Sequence, residues 1–181
     1  MRHFVLIFLL IFSLKTSAQE YFKLSVTDFQ GTPDAKVSFL AYTQWRLNYR
    51  FNIKVLNETY TPEFMVVLKL DKEASWIKTN EIKKDRLAYV LNHEQGHFKI
   101  GAIAKKELLQ QFKAFTYSKN YKAEADSIFQ KLAMKYKSIE QQYDKEIHAA
   151  KDEQQQKKWH AYLEESFNQN FTADVNLINK Q

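Results

Sequence analysis

Midway along the 181-residue chain runs Leu91-Asn92-His93-Glu94-Gln95-Gly96-His97-Phe98. Apolar residues on both sides of this stretch recur at intervals of three and four, which is the period of an amphipathic helix. The pattern predicts a helix over 84–112, begun by Asn80 or Asp85 as the N-cap. A long helix, rather than a loop, is therefore expected to carry the two histidines.

The two histidines are spaced to bind one metal ion. His93 and His97 stand at i and i+4, so a helix places both imidazoles on one face, as two ligands of a tetrahedral Zn²⁺ require. Glu94 leans beside that face, where it can act as a general base. The stretch predicts a Zn²⁺ cofactor held by His93 and His97, with Glu94 as the catalytic base. The alternative is a pair of surface histidines on an amphipathic helix.

A catalytic zinc site needs a third protein ligand, and three residues further along the chain are candidates. His148 is the first choice, at the end of the second predicted helix. Asp144 lies one turn earlier, and it can ligate the metal itself or orient a ligand. Glu124 follows His97 at the separation at which gluzincin-type proteases carry a Glu ligand. His148 has the further alternative of a cation that interacts with a helix C-terminus.

Two further side chains are interpreted from their positions. Tyr143 is a candidate catalytic residue, because a phenol can donate a hydrogen bond to an oxyanion. A core or surface aromatic is the alternative for Tyr143. His160 follows Trp159 and is expected to face solvent.

The residues before the central helix show the alternation of strands. Apolar residues at odd positions from Trp45 to Val55 alternate with polar ones, which predicts a strand with one buried face. A turn over 57–62 and a second strand from Phe64 to Leu70 complete an antiparallel pair. A further short strand is predicted over 24–29.

The residues after the central helix continue the helical period. Apolar stripes predict a second helix over 122–148 and a third over 152–167. Strands in one half and helices in the other indicate the α+β class. The length predicts a single domain over 19–170, followed by a polar tail over 171–181.

The N-terminus predicts export. Met1–His3 is basic, residues 4–14 are apolar apart from Ser13, and small residues up to Ala18 follow. This is the pattern of a signal peptide over 1–18 that is cleaved near Ala18. The apolar run is shorter than the roughly 20 residues that span a bilayer; a retained membrane anchor is the alternative. The mature chain is expected in the periplasm or outside the cell, without stable membrane insertion.

The composition argues against a nucleic-acid partner. The formal net charge is +6, but most lysines are interleaved with Glu, Asp and Gln on the predicted C-terminal helices, as on a solvated helix face. The sequence contains no recognisable nucleic-acid-binding motif. The chain also has no Cys, so an exported form must be stabilised by its core, with help from a metal.

Three stretches together resemble the DUF922 family, an uncharacterised bacterial family grouped with the zincin-like metalloproteases. Residues 24–34 are similar to the family's opening Trp-x-Asp-Phe-x-Gly-x-Pro. Residues 91–98, with 104–108 downstream, form the most specific of the three stretches. The third is 143–148, followed by Gln156 and Trp159.

The resemblance implies a zincin-like fold, in which an antiparallel sheet packs on the helix of the two histidines and a second long helix follows. The family pattern places Thr-x-His after Tyr-Asp-x-x. In this chain Ile147 takes the Thr position and His148 comes one residue early, so Ala149 occupies the usual His position in an ungapped register. Asp144 is then the residue that would complete the site.

These observations predict zinc-dependent hydrolysis of peptide bonds in a peptide or protein substrate, with zinc polarising the carbonyl and Glu94 activating the water. The alternative is an exported non-catalytic metal-binding or structural protein, including a pseudoenzyme that has lost its third ligand. A third class is an envelope-surface or nucleic-acid binder that acts through the Lys-rich helices, and its binding would depend strongly on salt.

Overall fold

The computed structural model describes residues 21–150 and 153–168, without the side chains of residues 149 and 150. The expected signal peptide over 1–18 and the polar tail over 171–181 lie outside the described residues. Within them the chain has the α+β class that the sequence predicts, with small antiparallel sheets ahead of long helices. The strands are β1 (Ala41–Tyr42), β2 (Trp45–Leu56), β3 (Thr59–Leu70) and β4 (Trp76–Ile77), and the helices are α1 (Leu87–Ala114), α2 (Tyr121–Ala150) and α3 (Glu153–Asn168).

The strands β2 and β3 form a long antiparallel hairpin, as predicted, and they pair over their whole length. Side chains along β2 alternate between half-buried and exposed as far as Lys54. The turn is shorter than the predicted 57–62, because only Asn57 and Glu58 lie between the strands, both with positive φ. Two-residue hairpin loops use positive φ to match the twist of the strands. Pairing therefore continues through Pro62, which lies opposite Ile53.

The short strand predicted over 24–29 is wrong, because Val26–Asp28 forms a 3₁₀ turn. The Asp28 carboxylate accepts hydrogen bonds from the Ser25 backbone N–H at 2.8 Å and from the Ser25 hydroxyl at 2.9 Å. Such local hydrogen bonds compete with strand pairing. Alternation of residue types over so few positions does not reveal whether a strand or a 3₁₀ turn will form.

The three helices agree with the predicted ones to within a few residues at each end, but both predicted N-caps are wrong. Lys84–Arg86 forms a 3₁₀ turn that leads directly into α1, and the N-cap position is Arg86, without a side-chain hydrogen bond. Because the chain enters the helix through this turn, neither Asn80 nor Asp85 occupies the cap position.

The helix α1 lies at the centre of the core. Ile100 and Leu108 are fully buried along it, and α2 and α3 contact it on other faces. The hairpin packs on α1 through rings, since Tyr49 and Phe64 both contact Phe112. None of the helices in the described part of the chain has both the length and the apolar character needed to cross a bilayer.

Candidate metal centre

Three side chains from two helices converge on one point. The helix α1 supplies His93 and His97, one turn apart, and α2 supplies Asp144. Asp144 Oδ1 lies 3.1 Å from His93 Nε2 and 3.0 Å from His97 Nε2, and the two Nε2 atoms lie 3.3 Å apart. The residues form a group that could hold a metal ion.

The geometry and donor types of this group fit a zinc ion. Tetrahedral ligands about 2.0–2.1 Å from zinc lie about 3.3–3.4 Å from one another, close to the 3.0–3.3 Å separations of these atoms. Two imidazoles and a carboxylate suit zinc, although they also suit other divalent ions. The Asp144 side chain is 48% exposed. The group therefore opens to solvent on that side, as a catalytic metal site must.

The imidazole of His97 is oriented from behind by a carboxylate. Glu140 Oε1 lies 3.3 Å from His97 Nδ1 and accepts a hydrogen bond of 2.8 Å from Trp45 Nε1. Because the Glu140 carboxylate can only accept a hydrogen bond, the Nδ1 atom of His97 carries a proton. The Nε2 atom of the same ring faces Asp144. Metal-binding histidines are commonly held by such a carboxylate, which fixes the tautomer. Gly101 lets Trp45 come this close to α1, because a Cβ there would lie 2.8 Å from the indole ring.

The ring of Tyr143 packs against both His93 and His97. It stacks on His93 with ring centroids 4.8 Å apart, and it meets His97 edge-on at 5.0 Å. Its hydroxyl donates to the backbone carbonyl of His93 at 2.9 Å. Gly96 allows this approach, because a Cβ there would overlap the hydroxyl and lie 2.5 Å from Cζ of the same ring.

This position does not match the oxyanion donor that the sequence suggested for Tyr143. The side chain is fully buried, and its hydroxyl is already engaged by the main chain of α1. Burial raises the pKa of Tyr143 well above its ordinary value, and Glu94 and Asp144 act in the same direction. The neutral phenol therefore packs against the two histidines and helps to hold them in position.

His160 is more enclosed than the sequence predicts and faces solvent only in part. It is half-buried, and its Nε2 lies 3.2 Å from the Tyr143 hydroxyl. Burial, with Lys99 and His93 nearby, lowers the pKa of His160 to about 4. The imidazole is therefore neutral at physiological pH.

Glu94 lines a cleft together with the triad, defined as His93, His97 and Asp144. The cleft has a volume of about 750 Å³ and is lined by the triad together with Glu94 and His148. Glu94 is nearly fully buried, and its Oε2 accepts a hydrogen bond of 2.6 Å from the Thr43 hydroxyl. Thr43 thus fixes one carboxylate oxygen in the place where the sequence expects a general base.

A second cavity, of about 830 Å³, lies on another face of α1. It is lined by His160 and Gln156 among others and by none of the three candidate ligands. The smaller cleft is therefore the candidate site, because it alone of the two brings the converging donors together with Glu94.

The other two candidate third ligands lie elsewhere. His148 Nδ1 donates to the backbone carbonyl of Asp144 at 2.7 Å, and its ring centroid lies 5.9 Å from that of His93. His148 therefore lines the cleft beside the triad without joining it. The Glu124 carboxylate accepts hydrogen bonds from the backbone N–H and the hydroxyl of Ser118, just before the start of α2. It is separated from Asp144 by about 30 Å of helix, at about 1.5 Å per residue.

The charges of the triad are coupled. Burial lowers the pKa of His97, but hydrogen bonds to Asp144 and Glu140 outweigh it and raise the value from 6.5 to about 10. Burial raises the pKa of Asp144, but its hydrogen bonds to His93 and His97 outweigh it and hold the pKa well below its usual range. Without a metal, His97 is therefore protonated at neutral pH and forms an ion pair with the Asp144 carboxylate.

The sequence interpretation missed two residues that position the site. Glu140 stands one helical turn before Asp144, so the spacing that singled out Asp144 and His148 would also have identified it. Thr43 lies in a short connection far along the chain from Glu94. No sequence pattern links the two, and only the folded chain reveals the contact.

Comparison with known proteins gives one family. A family model described as "Bacterial protein of unknown function (DUF922)" matches residues 19–153. No curated protein matches the chain. No solved structure matches it either.

Proposed function

The chain belongs to the DUF922 family, a bacterial family of unknown function, and we propose that it is a zinc-dependent peptidase. His93, His97 and Asp144 would hold the metal. The observation that carries the proposal is the convergence of their three donor atoms within 3.3 Å of one another, in a cleft that also contains Glu94. Metal donors and a carboxylate base in one cleft are what metal-assisted hydrolysis requires.

Each residue of the site has a separate role in the proposed hydrolysis. A zinc ion held by the triad would supply a Lewis acid that polarises the scissile carbonyl. Glu94 takes the proton from the attacking water with the oxygen that Thr43 does not hold, and later passes it to the leaving amine. Glu140 keeps the Nε2 of His97 turned towards Asp144, where the metal would bind. Tyr143 keeps the histidine pair in place.

Two broader features complete the proposal. The hairpin packed on α1, followed by the long helix α2, supports a zincin-like arrangement. The basic and apolar N-terminal stretch supports export to the periplasm or the exterior. Peptides or proteins met there would be the substrates.

The test of the proposed reaction is Glu94→Gln, which keeps the shape of the side chain and removes the base. The zinc-loaded wild type is expected to cleave at least one member of a panel of unfolded proteins and short peptides. Glu94→Gln should retain zinc and lose at least about a hundredfold in rate, because general-base catalysis contributes about 10²–10⁴-fold. Glu81→Gln, at an exposed carboxylate outside the cleft, is the matched control.

The outcome also separates the proposal from a non-catalytic metal-binding protein. Zinc binding with cleavage that is unchanged in Glu94→Gln would refute the role of Glu94. Zinc binding with no cleavage of any substrate in the panel would favour the non-catalytic alternative. The near-complete burial of Glu94 is the observation that favours this alternative, because a general base must reach the proton that it takes.

A further inference from the structure

The wall of the cleft that faces α2 is unusually apolar for an exposed surface. Phe39 is 51% exposed, Leu40 38% and Tyr42 43%. All three line the cleft that contains the triad. They make up three of the eight large apolar side chains that are exposed in the described residues, and they lie within four consecutive positions. An apolar concentration of this kind marks a binding surface more often than scattered single residues do.

The main chain of the apolar wall, defined as Phe39, Leu40 and Tyr42, is held by hydrogen bonds from Lys78 and by pairing with β4. Lys78 donates its backbone N–H to the Leu40 carbonyl at 2.8 Å and its ammonium group to the Val37 carbonyl at 2.7 Å. Between the exposed residues, Ala41 is buried and pairs with β4. The main chain of the wall is therefore fixed, and its side chains are presented to the cleft in advance of binding.

Each end of the apolar wall lies next to a residue that contacts His93 or Glu94. Phe39 contacts the ring of His148 with centroids 6.3 Å apart, and that ring contacts His93. At the other end, Tyr42 immediately precedes Thr43, which holds Glu94. A residue bound against the wall would therefore lie beside the bond at which Glu94 and the metal act.

From this placement we propose that the cleft binds extended polypeptide with a large apolar side chain next to the bond to be cut, and that the apolar wall receives that side chain. The inference rests on the proposed peptidase function. A cleft of about 750 Å³ is in the range of sites for small ligands, so it accommodates a short extended segment rather than a folded domain. A metal held by His93, His97 and Asp144 would polarise a peptide carbonyl, so polypeptide is the occupant that follows from the proposed function.

Binding is measured separately from cleavage with the Glu94→Gln protein, with and without zinc. The probes are labelled hexapeptides that differ only in one central residue: Phe, Leu, Ser or Asp. The Phe and Leu peptides are expected to bind about tenfold or more tightly than the Ser peptide, the low end of what an apolar pocket discriminates. The double variant Phe39→Ser/Tyr42→Ser should reduce that preference to less than about threefold.

Two control variants make the result specific to the apolar wall. Met134→Ser removes a large side chain that is 63% exposed on α2 and outside the cleft, and it should keep the full preference. Phe39→Leu should also keep it, since it preserves an apolar surface. Equal affinities for all four peptides, or a preference that survives in the double variant, would overturn the inference.

The same series distinguishes this inference from the proposed function. If the wild type cleaves all four peptides equally, the inference fails while the peptidase stands. If no peptide is cleaved but the binding preference depends on Phe39 and Tyr42, the peptidase fails and an apolar-peptide binding cleft remains. Concentration-dependent dimerisation abolished by Phe39→Ser would assign the wall to a second copy of the chain, and would also overturn the inference.

Discussion

At the scale of single residues, His97 depends on Glu140 for its orientation. Replacing Glu140 by Gln keeps the shape of the side chain but removes the charge that favours a protonated Nδ1. Zinc affinity is expected to fall about 10–100-fold, the usual cost of losing such a partner. Titration against a chromophoric chelator measures this effect. Glu63→Gln, at an exposed carboxylate on the hairpin, should leave the affinity unchanged; an unchanged affinity in Glu140→Gln would refute the orienting role.

The raised pKa of His97 predicts how the metal-free protein responds to pH. Because the folded-state pKa is about 10 against 6.5 for an unperturbed His, the protonated group stabilises the fold fully below pH 6.5. That stabilisation is lost as the pH rises through about 10. The melting temperature of the metal-free protein should therefore fall by several degrees between pH 6.5 and 10.

Two comparisons isolate the group responsible for this fall. The zinc-loaded protein should show a smaller fall, because the metal replaces the proton between His97 and Asp144. His97→Gln, measured without metal, should flatten the profile. A metal-free wild type that is as flat as the variant would contradict the assigned coupling.

The sequence included all three residues of the triad among its candidate ligands, but it placed His148 ahead of Asp144. The i, i+4 spacing of His93 and His97 is a property of any helix, so it could be predicted without the fold. Asp144 and His148 stand one turn apart on α2, and their spacing does not say which turn lies opposite α1. That choice depends on the contact between the helices, which only the folded chain reveals.

At the scale of secondary-structure elements, the contact between α1 and α2 depends on Gly96. A Cβ at this position would overlap the Tyr143 hydroxyl and lie 2.5 Å from Cζ. Gly96→Ala should therefore destabilise the protein by about 1–3 kcal/mol, as overpacking does, despite the better helix propensity of Ala. Zinc affinity should fall as well, because Asp144 follows Tyr143 on the displaced helix.

Thermal unfolding and zinc titration together test this prediction. Tyr143→Phe is the control, since it removes the hydroxyl without forcing the helices apart, and its effect on zinc affinity should be smaller. If Gly96→Ala kept both the wild-type melting temperature and the wild-type affinity, the close contact would not be needed.

Long elements could be predicted from the sequence, whereas short ones could not. The hairpin and the three helices have enough periods of two or about 3.6 residues to identify them. Over 24–29 there are too few residues to separate strand alternation from the Ser25 and Asp28 capping contacts. The 3₁₀ entry to α1 likewise replaces a side-chain cap, and it leaves no signal in the residue types.

At the scale of the whole molecule, α1 connects every part of the candidate site. The hairpin contributes Trp45, which holds Glu140, and the connection before it contributes Thr43, which holds Glu94. The helix α2 contributes Asp144 and Tyr143. The site therefore requires the complete fold. The sequence alone predicted the site residues on α1, whereas their partners Thr43, Trp45 and Glu140 become visible only in the folded chain.

The central claim is that His93, His97 and Asp144 bind one zinc ion, and elemental analysis of the purified protein tests it most directly. The wild type should contain about one zinc per chain, as a single tetrahedral site requires. Asp144→Ala should lose zinc or hold it weakly, while His148→Ala should retain it. A wild type that takes up no zinc even when it is supplied, or a site that survives Asp144→Ala but not His148→Ala, would contradict the claim.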